Sequence, residues 1–96
     1  MKIGFDYWQV ISHYPKHIKE LIGSLENNAN DTYIISAVGK NRIGTVAAEI
    51  KKIPEFSRFS DRYIKDRVHE VIFDHPRESP ELKVALALEL GLDMVS

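Results

Sequence analysis

The sequence predicts an α/β fold, a three-layer Rossmann-like parallel sheet with helices on both faces. Three observations carry this expectation. Short β-prone runs alternate with stretches of helical periodicity, and the second β-prone run is apolar throughout, as strands covered on both faces are. A chain of 96 residues can build one hydrophobic core, so a single domain over 1–96 is expected.

The elements follow in order. Lys2 to Tyr7 is a short β-prone run with apolar Ile3 and Phe5 and an acid, Asp6, near its far end. Pro15 suits the first turn of a helix, and Ile18, Leu21, Ile22 and Leu25 then recur at three- and four-residue spacing until Asn27 and Asn28. Thr32 to Val38 is β-branched and apolar, a second strand. After the loop from Gly39 to Gly44, the residues Ile43, Val46, Ala47, Ile50 and Ile53 share a helical face that Pro54 ends. Glu55 to Arg67 reads as a loop plus a helix, with Phe56, Phe59, Tyr63 and Ile64 at roughly helical spacing. Val68 to Phe73 is a third strand, bounded by Asp74-His75-Pro76. Ser79-Pro80-Glu81 marks a helix start with Ser79 as the cap, Gly91 suits a left-handed stop, and Leu92 to Val95 opens a fourth strand. The pattern is βαβα(α)βαβ.

Composition restricts the function classes. The apolar fraction of 44% with 28% charged residues is that of a folded globular chain. Thirteen basic against fourteen acidic residues give a net charge of −1, which supplies no global field toward nucleic acid or a membrane surface. The chain has no cysteine, and no window approaches the roughly 18 apolar residues of a membrane span. A cytoplasmic location, no nucleic-acid partner and no membrane association are the expectations. In a parallel α/β sheet ligands bind outside the carboxyl ends of the strands, where strand order reverses. Asp6, Ser36 and Asp74 are placed at those ends. An acid ending a central strand is poorly placed for packing and well placed for nucleophilic or metal chemistry, which singles out Asp6.

These residues carry a resemblance. KIGFDYWQVI followed by Pro15 is similar to the first motif of the haloacid dehalogenase-like (HAD-like) superfamily, an apolar strand ending in Asp; YIISA ending in Ser36 resembles the second; and the order of elements through ELGLDMV is that of the family core. The resemblance implies a hydrolase, of phosphatase or dehalogenase type, in which Asp6 is the nucleophile and a magnesium ligand. It implies that Ser36 hydrogen-bonds the transferred group. A basic residue of the third motif would offset charge, and both Lys83 and Arg77 fit one of the family's spacings. Trp8 stands where the phosphatases usually carry a second Asp, and Gln9 where they carry Gly. Dehalogenases of the family have an aromatic residue at the Trp8 position and attack a carbon–halogen bond without metal, which makes Trp8 a candidate substrate-binding residue. The fourth motif, an acidic pair that holds magnesium, would follow immediately after Val95 or Ser96. Magnesium is therefore implied only with residues beyond Ser96, and the domain is expected to lack its C-terminal part.

Other features have bland readings beside sharper ones. Gly39-Lys40-Asn41-Arg42-Ile43-Gly44-Thr45 lies between a strand and a helix and could cradle phosphate at its amides, with Gly39 as a substrate-binding candidate, although the Lys of a P-loop is missing; a plain basic loop is favoured. His13 and His17 are four apart but lack a third ligand, and surface histidines are favoured. His69 and His75 have no partner at a diagnostic spacing. Arg58, Arg62, Lys65 and Arg67 with interleaved Phe59 and Tyr63 are broken by Asp61, Asp66 and Glu70, as in a solvated helix face. The expected function is a HAD-like, hydrolase-related domain working on a small-molecule substrate through Asp6. The alternative is a non-catalytic binding or assembly module that keeps the fold and uses Tyr7, Trp8 and Tyr14 as an apolar patch. The short last strand leaves an edge that invites pairing, so homo-oligomerisation is expected.

Overall fold

A computed structural model of the chain describes residues 1–56 and 59–95. Four parallel strands, β1 (Lys2–Asp6), β2 (Asp31–Gly39), β3 (Val68–Phe73) and β4 (Met94–Val95), form one sheet in the order β3-β2-β1-β4. Four helices connect them: α1 (Pro15–Asn27), α2 (Thr45–Lys52), α3 (Asp61–Arg67) and α4 (Ser79–Leu90). The expected βαβα(α)βαβ order is the observed one.

Connectivity decides where the strand order reverses. The crossover through α1 carries β1 to β2 on one side, and the crossover through α4 carries β3 back to β4 on the other side of β1. The switch point therefore lies between β1 and β4, at the carboxyl end of β1.

Strand alternation then sorts the side chains. Ile3 and Phe5 of β1 and Ile34 and Val38 of β2 pack with Ile22 of α1, Val46 and Ile50 of α2 and Phe56 in one buried cluster. Gly4 and Asp6 leave β1 on the opposite face, toward α4 and β4. There a Cβ at Gly4 would lie 2.7 Å from the end of Leu92, so only glycine gives Leu92 that seat. The α4 side is thin. No residue of α4 is buried, although the helix is apolar on most of its surface, and Val84 and Leu88 are exposed.

Polar groups tie the elements at the amino end of β2. The Glu26 carboxylate accepts from the Thr32 amide (3.1 Å) and hydroxyl (2.7 Å), Tyr63 and Thr32 share a hydroxyl hydrogen bond of 2.7 Å, and Arg67 pairs with both Glu26 and Asp31. Desolvation pushes the Tyr63 hydroxyl up to about 12, against the lowering effect of its bond to Thr32. The basic stretch is thereby divided: Arg67 is spent on α1 and β2, Arg62 pairs with Asp66, and Arg58 lies outside the described residues.

Several boundaries differ from expectation, each for a local reason. The first strand ends at Asp6, and Tyr7–Ile11 is a π-helical turn with Tyr7 and Ile11 buried. Tyr7 is therefore core and does not contribute to the expected apolar patch, of which Trp8 is partly buried and Tyr14 exposed. Ile43 is outside α2 and exposed, because Gly44 takes a left-handed φ of 82° that breaks the helical run before Thr45. Ser79 is not the cap of α4; its φ and ψ are already helical, and a 3₁₀ turn, Pro76–Glu78, precedes it. The capping box is formed one turn earlier by His75 and Glu78: the His75 ring accepts from the Arg77 amide, and Glu78 accepts from the His75 amide at 2.7 Å. Gly91 is the expected left-handed stop, with φ 70°. Among the described residues no helix is long and apolar enough to cross a membrane.

Candidate functional site at the carboxyl end of the first strand

Asp6 is the last residue of β1, and the face it occupies is the one that α4 crosses. The first turns of α4 bring Lys83 over it, with Nζ 2.5 Å from Asp6 Oδ2. Both side chains are about three-quarters buried, at 21% exposure for Asp6 and 28% for Lys83. A charge-assisted bond of this kind fixes the carboxylate plane better than a solvated surface pair would. The other oxygen, Oδ1, is buried without a hydrogen-bond partner among the described groups. An unpaired buried oxygen costs about 1–3 kcal/mol, and a carboxylate held this way is unusual outside functional sites.

Of the two candidate third-motif bases, the structure brings Lys83 to Asp6 and turns Arg77 away. Arg77 is exposed and donates from Nε to the His75 ring at 3.3 Å. Ser36 is not brought to Asp6 either. It sits three residues before the end of β2, paired with Glu70 of β3, and shares its face with Ile34 and Val38, toward α1 and α2. Asp6, level with Ile35, faces the other way. The Ser36 hydroxyl is fully buried with no hydrogen-bond partner among the described groups.

Trp8 lies on the π-helical turn two residues past Asp6. Its ring meets the buried Tyr7 edge-on at 4.8 Å and carries the Arg42 guanidinium 5.2 Å from its centre. Arg42 comes from a 3₁₀ turn, Lys40–Arg42, that follows Gly39 at the end of β2. Gly39, Asn41, Arg42, Phe73 and Asp74 line a depression over the ends of β2 and β3. Across it Lys40 is ion-paired with Asp74, whose hydrogen bond and charge raise the Lys40 ammonium above its ordinary pKa.

The amides at the start of α2 are already engaged. Glu70 of β3 accepts from the Gly44 amide at 2.8 Å and reaches the Val46 amide at 3.4 Å. An internal carboxylate thus takes the place a phosphate would take at these two amides. The sequence singles out Arg42 as a charge on this loop but links neither Arg42 to Trp8 nor Glu70 to the start of α2, because those partners are 24 to 34 residues away and no spacing rule joins them. The His75–Glu78 box was legible in principle, as a polar residue followed three positions later by Glu.

A magnesium site needs several oxygen ligands in octahedral array. Among the described residues no three Asp, Glu or His side chains gather around a common point, and Asp6, with one oxygen on Lys83, is a single ligand. The described residues do not by themselves fit the ion.

No protein-family model, curated protein or solved structure matches the chain.

Proposed function

We propose that the chain is a HAD-like, hydrolase-related domain whose chemistry runs through Asp6, with Lys83 as the basic residue of the third motif. The observation that carries this reading is the 2.5 Å contact between Lys83 Nζ and Asp6 Oδ2 at the strand-order switch point, joining residues 77 apart in the chain. The retained cost of the unpaired Oδ1 supports it.

In this reading an Asp6 oxygen attacks the electrophilic phosphorus or carbon of a small substrate. The bond to the leaving group breaks, that group departs with the electron pair, and water then hydrolyses the acyl phosphate or ester formed on Asp6, restoring the carboxylate. Lys83 orients the carboxylate for attack and offsets the negative charge that collects between it and the substrate. Trp8 stands where a general acid would be, and an indole cannot pass a proton to the leaving group. The reading therefore implies substrates whose leaving group departs as a stable anion, such as an aryl oxide or a halide, over alkyl esters.

Hydrolysis of p-nitrophenyl phosphate and halide release from 2-chloropropionate, each with and without added magnesium, test it. Activity on either that falls at least a hundredfold in both Asp6→Asn and Lys83→Met, but less than threefold in Arg77→Gln, is the expected result. Activity equal in wild type and Asp6→Asn would sink the proposal. Magnesium dependence favours the phosphatase type, and halide release without magnesium the dehalogenase type.

A further inference from the structure

We propose that Arg42 determines substrate specificity at this site: held on the Trp8 ring, its guanidinium receives a second anionic group of the substrate, a carboxylate or phosphate remote from the reacting atom. The inference rests on the reading of Asp6 and Lys83 above and adds a substrate class to it.

Placement is the first argument. Trp8 follows Asp6 by two residues and Arg42 follows the end of β2, the strand beside β1, so both lie past the carboxyl ends of the two inner strands. The second is charge. Lys83 is neutralised by Asp6 and Lys40 by Asp74, whereas the exposed Arg42 has no carboxylate partner among the described residues. The one close contact described for its guanidinium is the Trp8 ring, which engages the cation through its charge and uses none of the five N–H donors. Those donors form the fork that binds carboxylate or phosphate in two parallel hydrogen bonds. Pre-organisation is the third argument. Trp8 is anchored edge-on against Tyr7, which is 2% exposed, so the ring is a fixed platform that limits the freedom Arg42 loses when an anion binds.

Trp8 is the chain's one tryptophan, so its emission reports on the platform itself. The experiment titrates the protein with 2-carboxyethyl phosphate and with ethyl phosphate, a pair that differs by one carboxylate, following Trp8 fluorescence and, in parallel, heat of binding. The wild type is expected to bind the carboxylated compound at least tenfold more tightly. Arg42→Gln is expected to erase that gap while leaving the ethyl phosphate Kd within twofold, and Lys40→Gln to keep the gap. Ethane-1,2-diol bisphosphate separates the two sources: a gap shared by it means that any remote anion serves, and a gap confined to the carboxyl compound means a carboxylate. Equal dissociation constants in the wild type, a gap that survives Arg42→Gln, or no binding of either compound overturns the proposal. Turnover of p-nitrophenyl phosphate is read separately, so failure of the Asp6 reading and failure of this one are distinguishable.

Discussion

The two faces of the sheet are built to different standards. The face under α1 and α2 is closed: Phe5, Ile34, Val46, Ile50 and Phe56 are each at most 1% exposed. The face under α4 holds the Asp6–Lys83 pair, a glycine where a side chain would collide, and a helix with no buried residue. Apolar burial contributes roughly 25 cal/mol per Å², so the larger share of it falls on the first face, although Ile35 and Ala37 are also buried on the second. The second face retains what a pure packing solution would remove, a largely buried charge pair with one orphaned oxygen. Stability and chemistry are thus divided across one sheet, four residues of β1 serving both by alternation.

The sharpest way to break this contrast is to truncate one side chain on each face. Phe5→Ala should cost about 3–5 kcal/mol in urea denaturation, because it empties a filled cluster. Leu88→Ala on α4, a position 78% exposed, should stay within about 0.5 kcal/mol. Similar losses at the two positions would refute the division.

A smaller effect is expected in the polar fringe of the closed face. The Tyr63 hydroxyl is raised to about 12 in the folded chain, above the ordinary 10, so the folded state holds its proton more tightly than the unfolded state. Stability from this group is fully present below about pH 10 and is lost as pH rises toward about 12, by an amount on the order of 2 kcal/mol. Tyr63→Phe should flatten that alkaline limb, measured as the urea midpoint between pH 9 and 11.5, buffered as the fold tolerates.

The smallest effect comes from the ends of two helices. Beyond the end of α4, Gly91 takes the left-handed conformation without penalty, whereas beyond α1 that conformation falls on Ala29, at φ 63°. Ala29→Gly should raise stability by about 0.5–1 kcal/mol in thermal or chemical unfolding. No gain would mean that the turn at Asn28 to Asn30 compensates the strain.

Much of this was legible in the sequence where the signal is local. The strand from Val68 to Phe73, the Pro15 start of α1 and the Gly91 stop came from spacing and punctuation, since two-residue and three-to-four-residue periods follow directly from backbone geometry. Asp6 was legible from its place on a strand. The choice between Lys83 and Arg77 was not, because it depends on how a helix settles across a sheet, which no local rule fixes. Ser36 illustrates the converse: a motif placed it near Asp6, but the register of β1 and β2 sends the two side chains to opposite faces. The π-helical turn at Tyr7–Ile11 escaped notice because its sequence, with Val10 and Ile11, reads equally well as extended chain.

The pairing of Asp6 with Lys83 also sets an order of events. Asp6 belongs to the first strand made, and its partner is 77 residues downstream, so closing that contact requires almost the longest loop the chain can form. The strands β1 and β2, about 30 residues apart, can pair and collect α1 far earlier. In a growing chain the residues of the apolar face are thus all present while Asp6 is still without its counter-ion, because α4 and then β4 are the last elements made.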